Sequence, residues 1–209
     1  MKSINNTTEK PLNKTKNKKN STIEMILIAF FSALIAICSQ IQVPATIPFT
    51  LQTFAVFVAA GILGFKRGTI SVLIYILLGL IGVPVFSGFS AGVASLFGLT
   101  GGYIIGFIFT AIFVGASLEF IDKRFYNQKD SKTEIIKSIL YGTSMVIGLF
   151  LCYTFGTIWF MTMYLKINSV AISLGSALSL CVLPFIIFDI LKIVAAVIVI
   201  NRVKKYVNL

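Results

Sequence analysis

Two ionisable residues, Asp189 and Lys192, stand inside an otherwise apolar run near the end of the chain, LPFIIFDILKIVAAVIVI from Leu183. Three positions apart on a helix, their side chains share one face and can reach each other. Ionisable groups within a membrane helix face the bundle interior or a wet cavity. A carboxylate and an ammonium side by side in a dry pocket could form charge-assisted hydrogen bonds with a ligand that has both donor and acceptor edges. On this reading Asp189 accepts N–H groups, and Lys192 donates to a carbonyl or pairs with a carboxylate. The plainer alternative is a self-neutralising ion pair that only locks helix packing, which is no evidence of net stability.

Four further residues could line such a pocket: Gln52, Tyr103 after the Gly101–Gly102 pair, Tyr153 and Trp159. Each alone has an ordinary explanation. Aromatic rings with a polar tip belong at the membrane interface, and a glutamine can join two helices by a hydrogen bond. Their weight comes from convergence on one half of the membrane. Ala29 and Ala33 form a small-xxx-small pair, as do Ser32 and Ala36, and such spacing lets another helix approach closely.

The elements that must hold these residues are membrane helices. Of 209 residues, 57% are hydrophobic and 12% charged, about half the charged share of an ordinary soluble domain. A formal charge of +11 does not point to nucleic acid, because the basic residues flank apolar runs instead of gathering on one water-facing surface. Cys38, Cys152 and Cys181 each lie within an apolar run, in no metal-ligand or disulfide pattern. The absence of histidine removes the commonest general base and metal ligand, which points away from catalysis.

The apolar runs predict an all-α membrane protein, a compact bundle of six transmembrane helices near 24–41, 50–64, 68–81, 101–121, 135–163 and 177–200, following a disordered basic tail over 1–22. The transmembrane substrate-binding domain is then 23–209. The second and third helices are short for spanning. With both termini cytoplasmic, sixteen of the eighteen basic residues fall on the inner side and Lys166 alone on the outer loops, as the positive-inside rule requires. Removing the two short helices would strand Lys66 and Arg67 on the wrong side or in lipid. The stretch 82–102 is rich in glycine yet mainly apolar. Irregular backbone of that kind is tolerated at membrane depth where it lines a cavity, so it is expected to dip in and roof a pocket. The loop with Pro44 and Pro48 reads the same way.

Four ordered segments carry a resemblance: VPATIPFTLQTFAVFVAAGILGFKRG from Val43, GLIGVPVFSGFSAGVASLFGLTGGYIIGF from Gly79, GTIW from Gly156 and LPFIIFDILK from Leu183. Together they resemble the BioY family, the biotin-specific substrate-binding (S) components of energy-coupling-factor (ECF) transporters, over nearly the whole membrane region. The resemblance implies a six-helix protein that captures biotin on the outer side of the cell membrane. It implies partners as well: a membrane T component and two ABC-type ATPase subunits. Asp189 and Lys192 would serve biotin binding, Asp189 at the ureido N–H groups, with Tyr103 as a pocket wall. The Ala29 and Ala33 spacing resembles the helix surface by which S components dock on the T component. Some family members carry a basic residue just after the tyrosine or in the glycine-rich segment, where this chain has Ile104 and the uncharged Phe89 to Gly92.

No G-x-x-x-x-G-K-[ST] phosphate loop occurs, so no cofactor is expected in this chain and ATP is used by the partner subunits. Two other readings share these residues: an S component for a different vitamin, and a membrane scaffold that binds no ligand.

Overall fold

The computed structural model describes residues 10–43, 47–126 and 130–206. Helix α1 runs over Lys10–Gln40, and its apolar, membrane-capable part is Ser21–Gln40. Its helical backbone begins inside the stretch expected to be a disordered tail; residues 1–9 lie outside the described residues. A two-residue ladder, β1 (Gln42–Val43) with β2 (Phe49–Thr50), follows as an antiparallel hairpin. Pro44 lies outside the described residues.

Helix α2, Gln52–Leu80, contains the two short helices expected over 50–64 and 68–81, joined through one non-helical residue, Gly64 (φ 77, ψ −173). Only glycine adopts that conformation readily. The chain reverses there. The Gln52 amide donates to the Tyr75 hydroxyl, although in a continuous helix they would stand roughly 35 Å apart. A Cβ on Gly68 would lie 2.7 Å from the Ala60 Cα, so the arms 52–63 and 65–80 touch backbone to backbone near the turn. Glu119 Oε1 accepts from Phe65 N–H at 2.7 Å, satisfying a donor that the break leaves without a helical partner.

Helix α4 (Gly101–Arg124) packs against both α2 and α5 (Ser131–Asn168). Small residues allow the approach: a Cβ on Gly115 would meet the Phe65 backbone, and one on Gly106 the Cys152 backbone. Between α2 and α4, the stretch 82–100 folds into a 3-10 turn, Ser87–Phe89, and the short α3, Gly92–Leu96. It is fastened to the end of α1 by three bonds. Ser39 Oγ donates to Val85 O at 2.5 Å, Gln40 Nε2 to Phe86 O at 3.0 Å, and Phe89 N–H to Gln40 Oε1 at 3.0 Å.

The sixth expected helix, 177–200, is broken. The short α6 (Leu174–Cys181) leads through a 3-10 turn at Leu183–Phe185 into α7 (Ile186–Tyr206). Pro184 explains the break, since it lacks an N–H and its ring crowds the preceding turn. The break leaves Asp189 in the first turn of α7, where the helix dipole complements a carboxylate.

Among the described residues, five segments are long and apolar enough to cross a membrane: Ser21–Gln40, Gln52–Leu80, Gly101–Arg124, Ser131–Asn168 and Leu174–Tyr206. Helix α7 shows why they suit lipid. Ile187, Ile190, Leu191, Val194 and Ile198 are exposed, while Asp189 and Lys192 are buried with Ile193 and Ala196. Its two central charges face inward, and a broad apolar face is exposed.

Candidate functional site

Asp189 and Lys192 form a contact ion pair, Nζ to Oδ1 at 2.8 Å, with side chains 4% and 6% exposed. The pair belongs to a wider hydrogen-bonded network. Lys192 Nζ also donates to the Thr50 carbonyl at 2.6 Å and to Thr53 Oγ1 at 3.1 Å. Thr53 in turn donates to Asp189 Oδ1 at 3.2 Å, and the Tyr153 hydroxyl donates to Asp189 Oδ2. The Phe49 ring covers the ammonium at 3.9 Å, a cation–π contact that gains strength when desolvated. Strand β2, α2, α5 and α7 thus meet at two charges.

All three N–H donors of the Lys192 ammonium therefore have acceptors inside the protein. In this geometry the ammonium neutralises Asp189 and holds its carboxylate in place. A carboxylate has about four acceptor positions, and Asp189 uses three: Lys192 and Thr53 on Oδ1, Tyr153 on Oδ2. One position on Oδ2 remains for an incoming N–H.

These residues line a cleft that opens to the protein surface. Gln52, Tyr103, Tyr153, Asp189 and Lys192 all line it. Gln52 is held from both sides, its Oε1 accepting from Thr50 Oγ1 at 2.9 Å and its Nε2 donating to Tyr75. That leaves one amide proton and one carbonyl lone pair for a ligand. Tyr103 lies across Gly156, where a Cβ would strike its ring, and its hydroxyl is 3.2 Å from Thr157 Oγ1.

Trp159 does not line the cleft, contrary to expectation. It packs behind Gly102, and its indole N–H donates to Gly98 O at 3.1 Å. GTIW thus fixes the start of α4 with its first, second and last residues: a seat for Tyr103, a hydroxyl partner, and a brace for the glycine-rich stretch. That stretch contributes Phe86, Ser87, Ser90 and Thr100 to the lining, as a segment dipping in to roof a pocket should. Phe86 is anchored edge-on against Tyr75 over the space left at Gly79. Ala29 and Ala33 are exposed on α1, whereas Ser32 faces inward and donates to Ser71 O at 2.8 Å. Only the first small pair is free to meet another helix.

Thr50, Thr53 and Tyr75 were not anticipated from the sequence. Threonine in a membrane helix commonly bonds back to its own helix, so its presence carries no signal until the partner helix is placed. Cys152 and Cys181 also line the cleft, as buried free thiols.

The family model described as "BioY family" matches residues 11–209. The chain belongs to the BioY family. It is 37% identical over 183 residues to a biotin transporter BioY of Thermotoga maritima, covering 87% of this chain and 96% of that one. It is 36% identical over 182 residues to a probable biotin transporter BioY of Pyrococcus horikoshii, covering 87% and 96%. A solved structure of the S-component for biotin from an ECF-type ABC transporter superposes with a TM-score of 0.71 at 29% identity, covering 90% of this chain and 93% of that one. With its apolar helices, this BioY-family chain is a multi-pass membrane protein.

Proposed function

We propose that this chain captures biotin as the S component of an ECF-type importer. The observation that carries the proposal is the buried Asp189–Lys192 pair, held by Thr50, Thr53 and Tyr153 in the wall of a mostly apolar cleft. A cyclic urea presents two N–H donors around one carbonyl. The free Oδ2 position of Asp189 suits one of those donors, and the spare amide proton of Gln52 suits the carbonyl. The apolar walls suit the ring sulfur and the aliphatic tail. The role is that of a ligand carrier and not an enzyme.

The bilayer arrangement follows the same logic. Six spans result if each arm of α2 crosses separately, with Lys66 and Arg67 at the turn on the inner side and both termini cytoplasmic. The exposed Ala29 and Ala33 face of α1 would then meet the T component, and two ABC-type ATPase subunits would supply the energy. A competition assay tests the ligand: labelled biotin on the purified chain is challenged with unlabelled biotin, thiamin or riboflavin. The proposal expects biotin alone to displace the label. Binding in which thiamin or riboflavin wins would move the chain to another vitamin, and no specific binding would favour the scaffold reading.

A further inference from the structure

The cleft contains one cation, and that cation is fully engaged. Among its described lining residues the charged groups are Asp189 and Lys192, and the adjoining residues 44–46, Pro-Ala-Thr, are neutral in sequence. The donors of Lys192 go to Asp189, Thr50 and Thr53. A second carboxylate brought to this depth would find no free donor on the ammonium, and would meet the like charge of Asp189 in a medium of low dielectric.

The rim differs in kind. Ser90 is exposed and Ser87 half-buried, so this part of the lining opens outward. The Ser87 hydroxyl donates to Gln42 Oε1, and the Ser90 hydroxyl donates to Ser87 O at 2.9 Å. With their protons engaged, both hydroxyls have lone pairs and no donor left to offer, which suits an N–H and opposes a carboxylate oxygen. The features that favour an anion are the Thr100 hydroxyl and the start of α4 behind it, a neutral donor and a helix-terminal partial charge.

We propose that the cleft selects its ligand by the hydrogen-bonding head alone and has no charged subsite for the tail, so that neutral ester and amide conjugates of the ligand acid bind as well as the free acid. The proposal rests on the biotin reading above. The tail leaves past Ser87 and Ser90, where a carboxylate keeps its water and an amide gains an acceptor. The substrate class is thereby widened from a free vitamin to head-group conjugates with uncharged linkages.

The test uses the detergent-purified full chain with labelled biotin, displaced by biotin, biotin methyl ester or biotinamide. The ester and amide are expected to compete within about tenfold of biotin, the most that a helix-terminal field and one hydroxyl should confer. Neutral analogues weaker by more than about tenfold, as loss of a charge-assisted contact would make them, would overturn the proposal. In the Ser90→Arg variant, a cation now stands at the rim, and preference for the acid over the ester should rise about fivefold. An unchanged ratio would overturn the placement of the tail. If biotin itself fails to bind, the ligand assignment falls, an outcome distinct from biotin binding while its neutral analogues do not.

Discussion

Lys192 Nζ lies 2.6 Å from the carbonyl oxygen of Thr50, a residue 142 positions earlier in the chain. The contact fastens α7 to the hairpin strand that leads into α2, so the ion pair closes the cleft as well as charging it. Removing Lys192 leaves the Asp189 carboxylate and a strand carbonyl without their cation. Loss of one partner from a buried pair costs about 3–5 kcal/mol. Lys192→Ala should therefore lower both thermal stability and ligand affinity, whereas Lys192→Met should recover packing but not affinity. Melting curves and equilibrium binding on the two variants separate those effects.

Thr53 bridges the pair, accepting from Lys192 and donating to Asp189. Thr53→Val keeps the shape and removes both bonds. Hydrogen bonds to charged groups contribute about 1.5–3 kcal/mol, so biotin affinity should fall at least about tenfold while the protein still purifies as a monodisperse species. Thr53→Ser should retain most of the affinity. Isothermal titration of both variants checks this, and equal losses would mean that packing of the threonine methyl matters as much as the hydroxyl.

The turn at Gly64 allows a prediction about the scaffold. A Cβ there would collide with the Glu119 carboxylate and require a backbone conformation costing about 1–3 kcal/mol for other residues. Gly64→Ala should lower the melting temperature and weaken ligand binding together, because the reversal is what brings Tyr75 to Gln52. Glu119→Gln, which keeps an oxygen for Phe65 N–H, should be much milder than Glu119→Ala.

Near the C-terminal end of α4, Asp122 joins α4 to α5 and α7 through Lys137 at 3.3 Å and Lys204 at 2.5 Å, with the Tyr141 hydroxyl donating to the same carboxylate. The carboxylate is about one-third exposed, so solvent screening keeps the network modest. Asp122→Asn should reduce stability by about 1 kcal/mol and leave biotin affinity within about twofold, since no residue of this cluster lines the cleft. A large drop in affinity would show that this cluster sets the geometry of the site.

Much of this was legible in the sequence where the physics is local. Charges in an apolar run must face inward, which singled out Asp189 and Lys192. The basic pair Lys66 and Arg67 forced a reversal between two short apolar segments, and the chain does turn back at Gly64. Relationships that depend on tertiary placement were not legible. Thr53 reads as an ordinary helical threonine until α7 lies beside it. Trp159 reads as a pocket aromatic until Gly102 is seen to take its ring from behind. Pro184 sits in so continuous an apolar run that hydropathy passes over the break, although the break puts Asp189 at a helix start. Lys192 stands out in the sequence as a charge inside an apolar run, but the engagement of all its donors depends on a backbone carbonyl that no side-chain pattern reveals.

The proposed role of Asp189, oriented by Lys192, is to receive the ureido group of biotin. It is tested most directly by equilibrium binding of labelled biotin to the purified chain and to its Asp189→Asn variant. An asparagine keeps the shape but replaces an acceptor oxygen with a donor. The unaltered chain should bind saturably and the variant at least about a hundredfold more weakly, with both proteins folded by their melting transitions. Equal affinity in the two would contradict the claim and return the pair to a purely structural role.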